Sequence, residues 1–233
     1  MLCAGWEVLY MRLLHVTRGD IRFQWKHGFY LLYAVFTAMY VFTALAFPPA
    51  LRSNAAAVLI FTDPAAIGLF FMGALVLLEQ SQNVLHALAV SPVRPAEYMA
   101  AKIASLTLIG TAVGALIAGL SGVSEWFVRI AGTALCGVFF SALGLWAALK
   151  CTTLNQFLLI GVPIELVFTL PAVILTYDKP LLLLHPGFAA LRVIGGAADP
   201  LAFLSLLIWA ALAILLAAKA TRRTFSMLGG ERA

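Results

Sequence analysis

The chain has 233 residues, 63% of them hydrophobic and 11% charged, with a formal net charge of +5 and a mean hydropathy of +1.01. Soluble domains carry about a quarter charged residues, so this composition excludes an ordinary water-soluble globule. In so apolar a chain the surplus of bases bears on membrane topology, and nucleic acid is not an expected partner.

Residues 5–26 mix apolar anchors with bases. Trp6, Leu9 or Tyr10 and Leu13 recur at helical spacing among Arg12, Arg18, Arg22 and Lys26. That pattern predicts a helix in the headgroup plane, its cations toward anionic lipid, within a cytoplasmic segment 1–27. The first apolar span runs from Gly28 to Phe47, long enough for about 30 Å of hydrocarbon, and Pro48-Pro49 ends it. A loop with Arg52 and Asn54 is expected next. Asp63-Pro64 then reads as the N-cap and first helical residue of a second span, Ala65 to Leu78.

Glu79 to Lys102 is too polar for hydrocarbon and must meet water. Ser91-Pro92 and Pro95 interrupt it before a third span, Ala100 to Leu120, and a fourth, Phe127 to Leu149. The fifth, Phe157 to Tyr177, contains Pro163, Glu165 and Pro171. Residues 178–199 hold two apolar pieces too short to cross, split by His185-Pro186-Gly187 and Gly195-Gly196. Short re-entrant or interfacial helices suit that length. The sixth span, Leu201 to Ala218, precedes a basic tail.

Six spans place both termini on one side. Arg12, Arg18, Arg22, Lys26, Arg94, Lys102, Lys150, Lys219, Arg222, Arg223 and Arg232 then share that side, eleven bases against four (Arg52, Arg129, Lys179 and Arg192). Cytoplasmic loops carry the Lys/Arg excess, so both ends and the Glu79–Lys102 passage are expected inside. The start of the chain lacks the pattern of a secretory signal. The expected architecture is all-α and polytopic, one transmembrane domain over residues 1–233.

Chemistry of its own is not legible. The chain has no phosphate-binding loop, no zinc motif and no nucleophile elbow. His15, His27, His86 and His185 are scattered, and no motif sets a histidine to activate Ser141. Cys3, Cys136 and Cys151 form no metal or disulfide framework. No catalytic or metal-binding residue is assigned.

The order of an amphipathic helix, a span, an external Asp-Pro and then GALVLLEQSQNVLHALAVSPVRPAEYMAAK resembles the type-2 ABC export permeases, in particular small bacterial drug- or fluoroquinolone-export permeases. The resemblance spans essentially the whole chain. It implies a membrane subunit in the bacterial cytoplasmic membrane that pairs with a second copy or a related permease. ATP and magnesium would be bound by a separate ABC ATPase subunit, and no cofactor by this chain. It further implies that segment 79–99 is a coupling segment, with a short helix from Gln82 to Val90 seated in the ATPase. Val84, Leu85 and Leu88 would offer apolar contact there, and Gln82 and His86 polar contact. Glu79, Ser91, Pro92, Arg94, Glu97 and Lys102 would frame it. The substrate class implied is a small amphiphile, drug-like or lipid-like.

Some residues keep two readings. Glu79 and Lys102 can pair with each other or with Arg94, or simply anchor at the interface. Glu165, a carboxylate inside a span, is either a polar point on the substrate path or a structural group. Tyr33, Phe36 and Tyr40 share one face of the first span with Phe29, to stack substrate or to pack. Gly110 and Gly114, with Gly132, Gly137 and Gly144, read as close helix contacts. The competing function is a non-transport membrane protein, an immunity or sensor subunit that binds a peptide or protein partner.

Overall fold

The computed structural model describes residues 15–174 and 180–229, with the backbone alone over 63–67. Among the described residues there are helices and no strand, as an all-α reading requires. The expected anchors Trp6, Leu9, Tyr10 and Leu13, and Cys3, lie outside them.

Helix α1 covers residues 15–26. Gly28, at φ 77°, turns the chain into α2, Phe29–Ala46, a left-handed conformation that glycine adopts without strain. The next stretch departs from expectation. Residues 49–66, including Arg52 and Asn54, form a helix, α3 (Pro49–Ala66), where a loop was expected. It continues through a π turn, Ile67–Phe71, into α4, Met72–Ser81. Asp63-Pro64 is therefore interior to a long helical rod, not its start. Pro49 supplies the same start signal fifteen residues earlier, and the Ala55-Ala56-Ala57 run propagates it. Pro64 lacks a backbone donor for the helical ladder, and the wider π turn follows directly.

Helix α5, Val84–Val90, is two turns long. Then come α6 (Pro95–Leu120), α7 (Trp126–Ala148) and α8 (Leu154–Ile174). A 3-10 turn, Pro180–Leu184, leads to α9, Pro186–Ile194, and α10, Pro200–Gly229, ends the described chain. The basic tail after Ala218 continues α10 as helix. Among the described residues five helices, α2, α6, α7, α8 and α10, are long and apolar enough to cross a membrane, and a shorter apolar stretch, Gly68–Ser81, lies at the C-terminal end of the rod.

Burial ranks these helices. The apolar window of α7 is 67% buried, against 17% for α2 and for α8. Helix α7 is thus the hub, while α2 and α8 present most of their apolar surface outward. Small residues admit the neighbours. A Cβ on Gly144 would lie 2.5 Å from the Leu69 carbonyl oxygen in the π turn, and one on Gly132 would lie 2.6 Å from Val193 of α9. Gly114 meets Thr133 and Ile60, and Gly137 meets Thr107, whereas Gly110 faces open space. The close-contact reading holds for four of those five glycines.

Helix α9, nine residues long, is buried from Pro186 to Leu191 and again at Val193 and Ile194, packed among α3, α7, α8 and α10. His185 fixes its start. Pro171 in α8 has no N–H to give the Val167 carbonyl four residues back, and the His185 Nε2 donates to that oxygen at 3.2 Å instead. His185 Nδ1 accepts from the Gly187 N–H at 3.2 Å. The neutral ring with its proton on Nε2 satisfies both bonds at once.

Candidate functional site

A charged knot lies where α1, α4 and α6 meet. Lys102 Nζ donates to Glu79 Oε1 at 2.6 Å and pairs directly with Asp20. Tyr98 donates its hydroxyl to Glu79 Oε2 at 2.8 Å. Asp20 also accepts from Ser105 and, at 2.8 Å, from Gln24, whose amide reaches Ser105 Oγ at 3.0 Å. Asp20, Glu79 and Lys102 are 6%, 3% and 2% exposed. Desolvated charges persist only when paired and hydrogen-bonded, and these are. Glu79 and Lys102 therefore pair with each other. Arg94 stays out, its side chain exposed and its backbone N–H held by Glu97 Oε2 at 2.9 Å.

Asp20 and Gln24 were not singled out from the sequence. They stand four residues apart in a basic stretch, which places them on one helix face. Helix α1 thus turns two polar side chains inward, where only lipid-facing cations were expected. Half-buried Phe23 extends that seam, with Lys102 Nζ 5.8 Å from the Phe23 ring centre and 5.8 Å from that of Tyr98.

A short helix, α5, stands where the coupling helix is expected, and its orientation removes Leu85 from the residues it can present. Leu85 is 1% exposed and belongs to the chain's own core, so it has no surface to offer a partner. Leu88 is half-buried against that core. Val84 and Leu88 line a cavity of about 370 Å³ between α5 and α1, with Val16, Phe23 and Tyr98. The outer face of α5 carries His86, Ala87 and Val90, the last 71% exposed, and exposed Gln82 precedes it. Gln82 also reaches His27 at 3.2 Å, tying the turn before α5 to the end of α1. Ser91 caps α5 by donating to the Leu88 carbonyl at 2.7 Å, and Pro92 stands exposed beside it. A second cavity, about 740 Å³, separates this Ser-Pro break and Arg94 from Arg222, Phe225 and Ser226 of α10.

The other expected site residues are far from this knot. Tyr33 is buried and meets Phe71 edge-on at 4.9 Å, and Phe36 lies 6.5 Å from the same ring. Tyr40 is half-buried and stacks with Phe36 at 6.4 Å. The stripe therefore packs α2 onto the rod, although Tyr33 also borders an apolar groove between α2 and α6 with Tyr30, Thr37 and Val113. Glu165 on α8 is half-buried. Its Oε1 accepts from Thr169 at 3.0 Å, and its buried Oε2 has no hydrogen-bond partner among the described residues. Cys136 and Cys151 are free and buried. Among the described residues no group of His, Cys, Asp and Glu is placed to hold a metal ion.

The opposite end of the bundle holds a second polar knot. Arg129, near the start of α7, donates to the Ile194 and Gly195 carbonyls at 2.9 Å each, to Ser124 O at 2.9 Å and to Ser53 Oγ at 3.1 Å. From Lys102 to the end of α6 the helix rises about 27 Å, so the two knots sit near the two faces of a hydrocarbon layer.

A family model for the fluoroquinolones export permease protein family matches residues 11–226, from α1 through most of α10. The chain belongs to that family. Curated relatives include the fluoroquinolones export permease proteins of two Mycobacterium tuberculosis strains, CDC 1551 and H37Rv. Each is 28% identical to this chain over 81% of either sequence. The permease is thus a multi-pass membrane protein of drug export, and the immunity or sensor reading falls away. The match spans the charged knot, α5 and the Arg129 knot alike.

Proposed function

We propose that the permease carries a small amphiphilic substrate, drug-like or lipid-like, outward across the bacterial cytoplasmic membrane by alternating access. A separate ABC ATPase subunit, binding ATP and magnesium, supplies the work, and a second copy or a related permease completes the pathway. Six crossings are assigned, the rod α3–α4 joining the five long apolar helices. The pair formed by the 3-10 turn and α9 dips into the bundle from outside. Both ends and α5 face the cytoplasm, in keeping with eleven bases against four. The names of the relatives favour fluoroquinolones among possible drugs.

The observation that carries this reading is the mounting of α5. A two-turn helix stands between two apolar helices. Leu85 pins it from within, and a buried ion network at the junction of α4 and α6 stiffens its base. A stiffly mounted foot transmits the closure of a partner; a loose loop absorbs it. The docking surface is then Gln82, His86 and Val90, with Pro92 and Arg94 at its edge. Lys102, Glu79 and Glu97 support it from below. Glu165, Tyr33, Phe36 and Tyr40 lie along the membrane-embedded path.

Co-purification tests it. His86→Asp and Val90→Asp are exposed changes that leave folding intact, and each is expected to abolish capture of the cognate ATPase from detergent while membrane expression stays at wild-type level. Capture of the ATPase by both variants at wild-type yield would sink the assignment of α5.

A further inference from the structure

The outer knot is chemically unusual. Arg129 is 3% exposed, yet among the described residues no carboxylate lies within ion-pair distance of it. Its direct partners are dipoles: the carbonyls of Ile194 and Gly195 at the C-terminal end of α9, the Ser124 carbonyl, and the Ser53 hydroxyl near the start of α3, while the Glu125 carboxylate acts on it only from beyond contact. A helix C-terminus is a natural seat for a cation, and a guanidinium fork suits two adjacent carbonyls. Gly196, at φ +95°, lets the chain turn away there; a Cβ at that position would lie 3.1 Å from Arg129 Nη2.

One side chain thus fastens α3, α7 and α9 together at a single point. Helix α9 is otherwise inserted by shape, with Gly132 opening room for Val193 and Gly187 packing directly on the Phe168 backbone of α8. A buried cation with no carboxylate in contact can exchange its carbonyl partners for bulk water, which takes over each of those hydrogen bonds. An ion pair at the same place would oppose that exchange much more strongly. The tie is dry when α9 is seated and hydrated when it is not, which gives two discrete arrangements.

We propose that Arg129 is the outer latch of the transport cycle: it clamps the end of α9 onto α3 and α7, and its release into external water opens the outward side. This deepens the export reading and rests on α5 facing the ATPase. Arg129 acts as a positioning residue, through α9, and need not touch substrate.

The native Cys136 thiol reports on the opening. It lies seven residues beyond Arg129 on α7, about 10 Å deeper along the helix, and is fully buried. With Cys3 and Cys151 replaced by serine, whole cells are treated with a membrane-impermeant maleimide. In the otherwise unaltered protein, labelling is expected to be slow at rest and to rise during turnover. Arg129→Gln is expected to speed resting labelling tenfold or more and to lower export per folded permease tenfold or more, with ATPase capture unchanged. Arg129→Lys, which keeps the charge but reaches fewer acceptors, is expected to fall between. Normal export by Arg129→Gln with Cys136 still protected overturns the latch and leaves α5 untouched. If Arg129→Gln fails to reach the membrane, Arg129→Lys decides alone: resting labelling and export both at wild-type levels overturn the proposal. Failure of the wild-type permease to capture its ATPase would instead remove the reading beneath it.

Discussion

Replacing Lys102 with methionine tests the inner knot directly. The substitution keeps most of the side-chain volume and removes the one cation, among the described residues, that pairs with Asp20 and Glu79, at 6% and 3% exposure. Breaking a buried pair by deleting one partner costs about 3–5 kcal/mol. The lower part of that range applies here, because both carboxylates keep neutral donors. Glu79 retains the Tyr98 hydroxyl at 2.8 Å, and Asp20 retains Gln24 at 2.8 Å together with Ser105. A loss of about 3 kcal/mol in a chain of this length lowers the melting temperature by roughly 6–12 °C. Thermal unfolding of the detergent-purified permease, followed by tryptophan fluorescence, reads the shift. The triple variant Asp20→Asn, Glu79→Gln, Lys102→Met removes all three charges at once and is expected to recover most of the loss, since an uncharged replacement of a buried ion cluster is often close to neutral. A single Lys102→Met variant that melts within about 2 °C of wild type would refute the claim that this network stiffens the base of α5.

Two further outcomes are expected. Gly144→Ala drives a Cβ toward the Leu69 backbone at 2.5 Å and should cost about 1–3 kcal/mol in thermal unfolding. Gly110→Ala meets nothing within 4 Å and should gain about 0.5–1 kcal/mol, so the two glycines of the third and fourth long helices should respond with opposite signs. Burial lowers the pKa of His185 from its usual 6.5, against the opposing pull of the Val167 carbonyl. The unfolded chain therefore takes up this proton at a higher pH than the folded one. Its contribution to stability is complete above about pH 6.5 and is lost as the pH falls below that value. Melting measured from pH 7.5 to 5.5 should show this slope, and His185→Asn, which keeps an acceptor for the Gly187 N–H, should flatten it.

The long apolar helices were legible because crossing length and low charge leave few alternatives. The start of the second was misread for a specific reason. Pro49 and Pro64 give the same signal of proline at a first helical turn, and Arg52, Ser53 and Asn54 just after Pro49 pass for a loop. The protein instead buries Ala56, Ala57, Ile60 and Phe61 of that stretch against α6 and α7. Helix α5 was visible as part of a polar island, but seven residues are too few for periodicity to say which leucine turns inward, and Leu85 did. Asp20 could not be paired from sequence because its cation stands 82 residues away. Arg129 left still less trace, since its partners are mainly backbone carbonyls, which every residue has. A resemblance of ordered motifs located the family; it did not reveal which side chains tie the helices together.

The rod from Pro49 to Ser81 is gripped near both extremities, by Arg129 through Ser53 and by Lys102 through Glu79, with the π turn between. A shaft of uniform stiffness would oblige its two tips to swing in unison. A softer coil at mid-length lets one tip tilt while the other stays put. In the proposed cycle, the gate on the α5 side then shuts before the far one parts, leaving an interval in which cargo is sealed from both aqueous compartments.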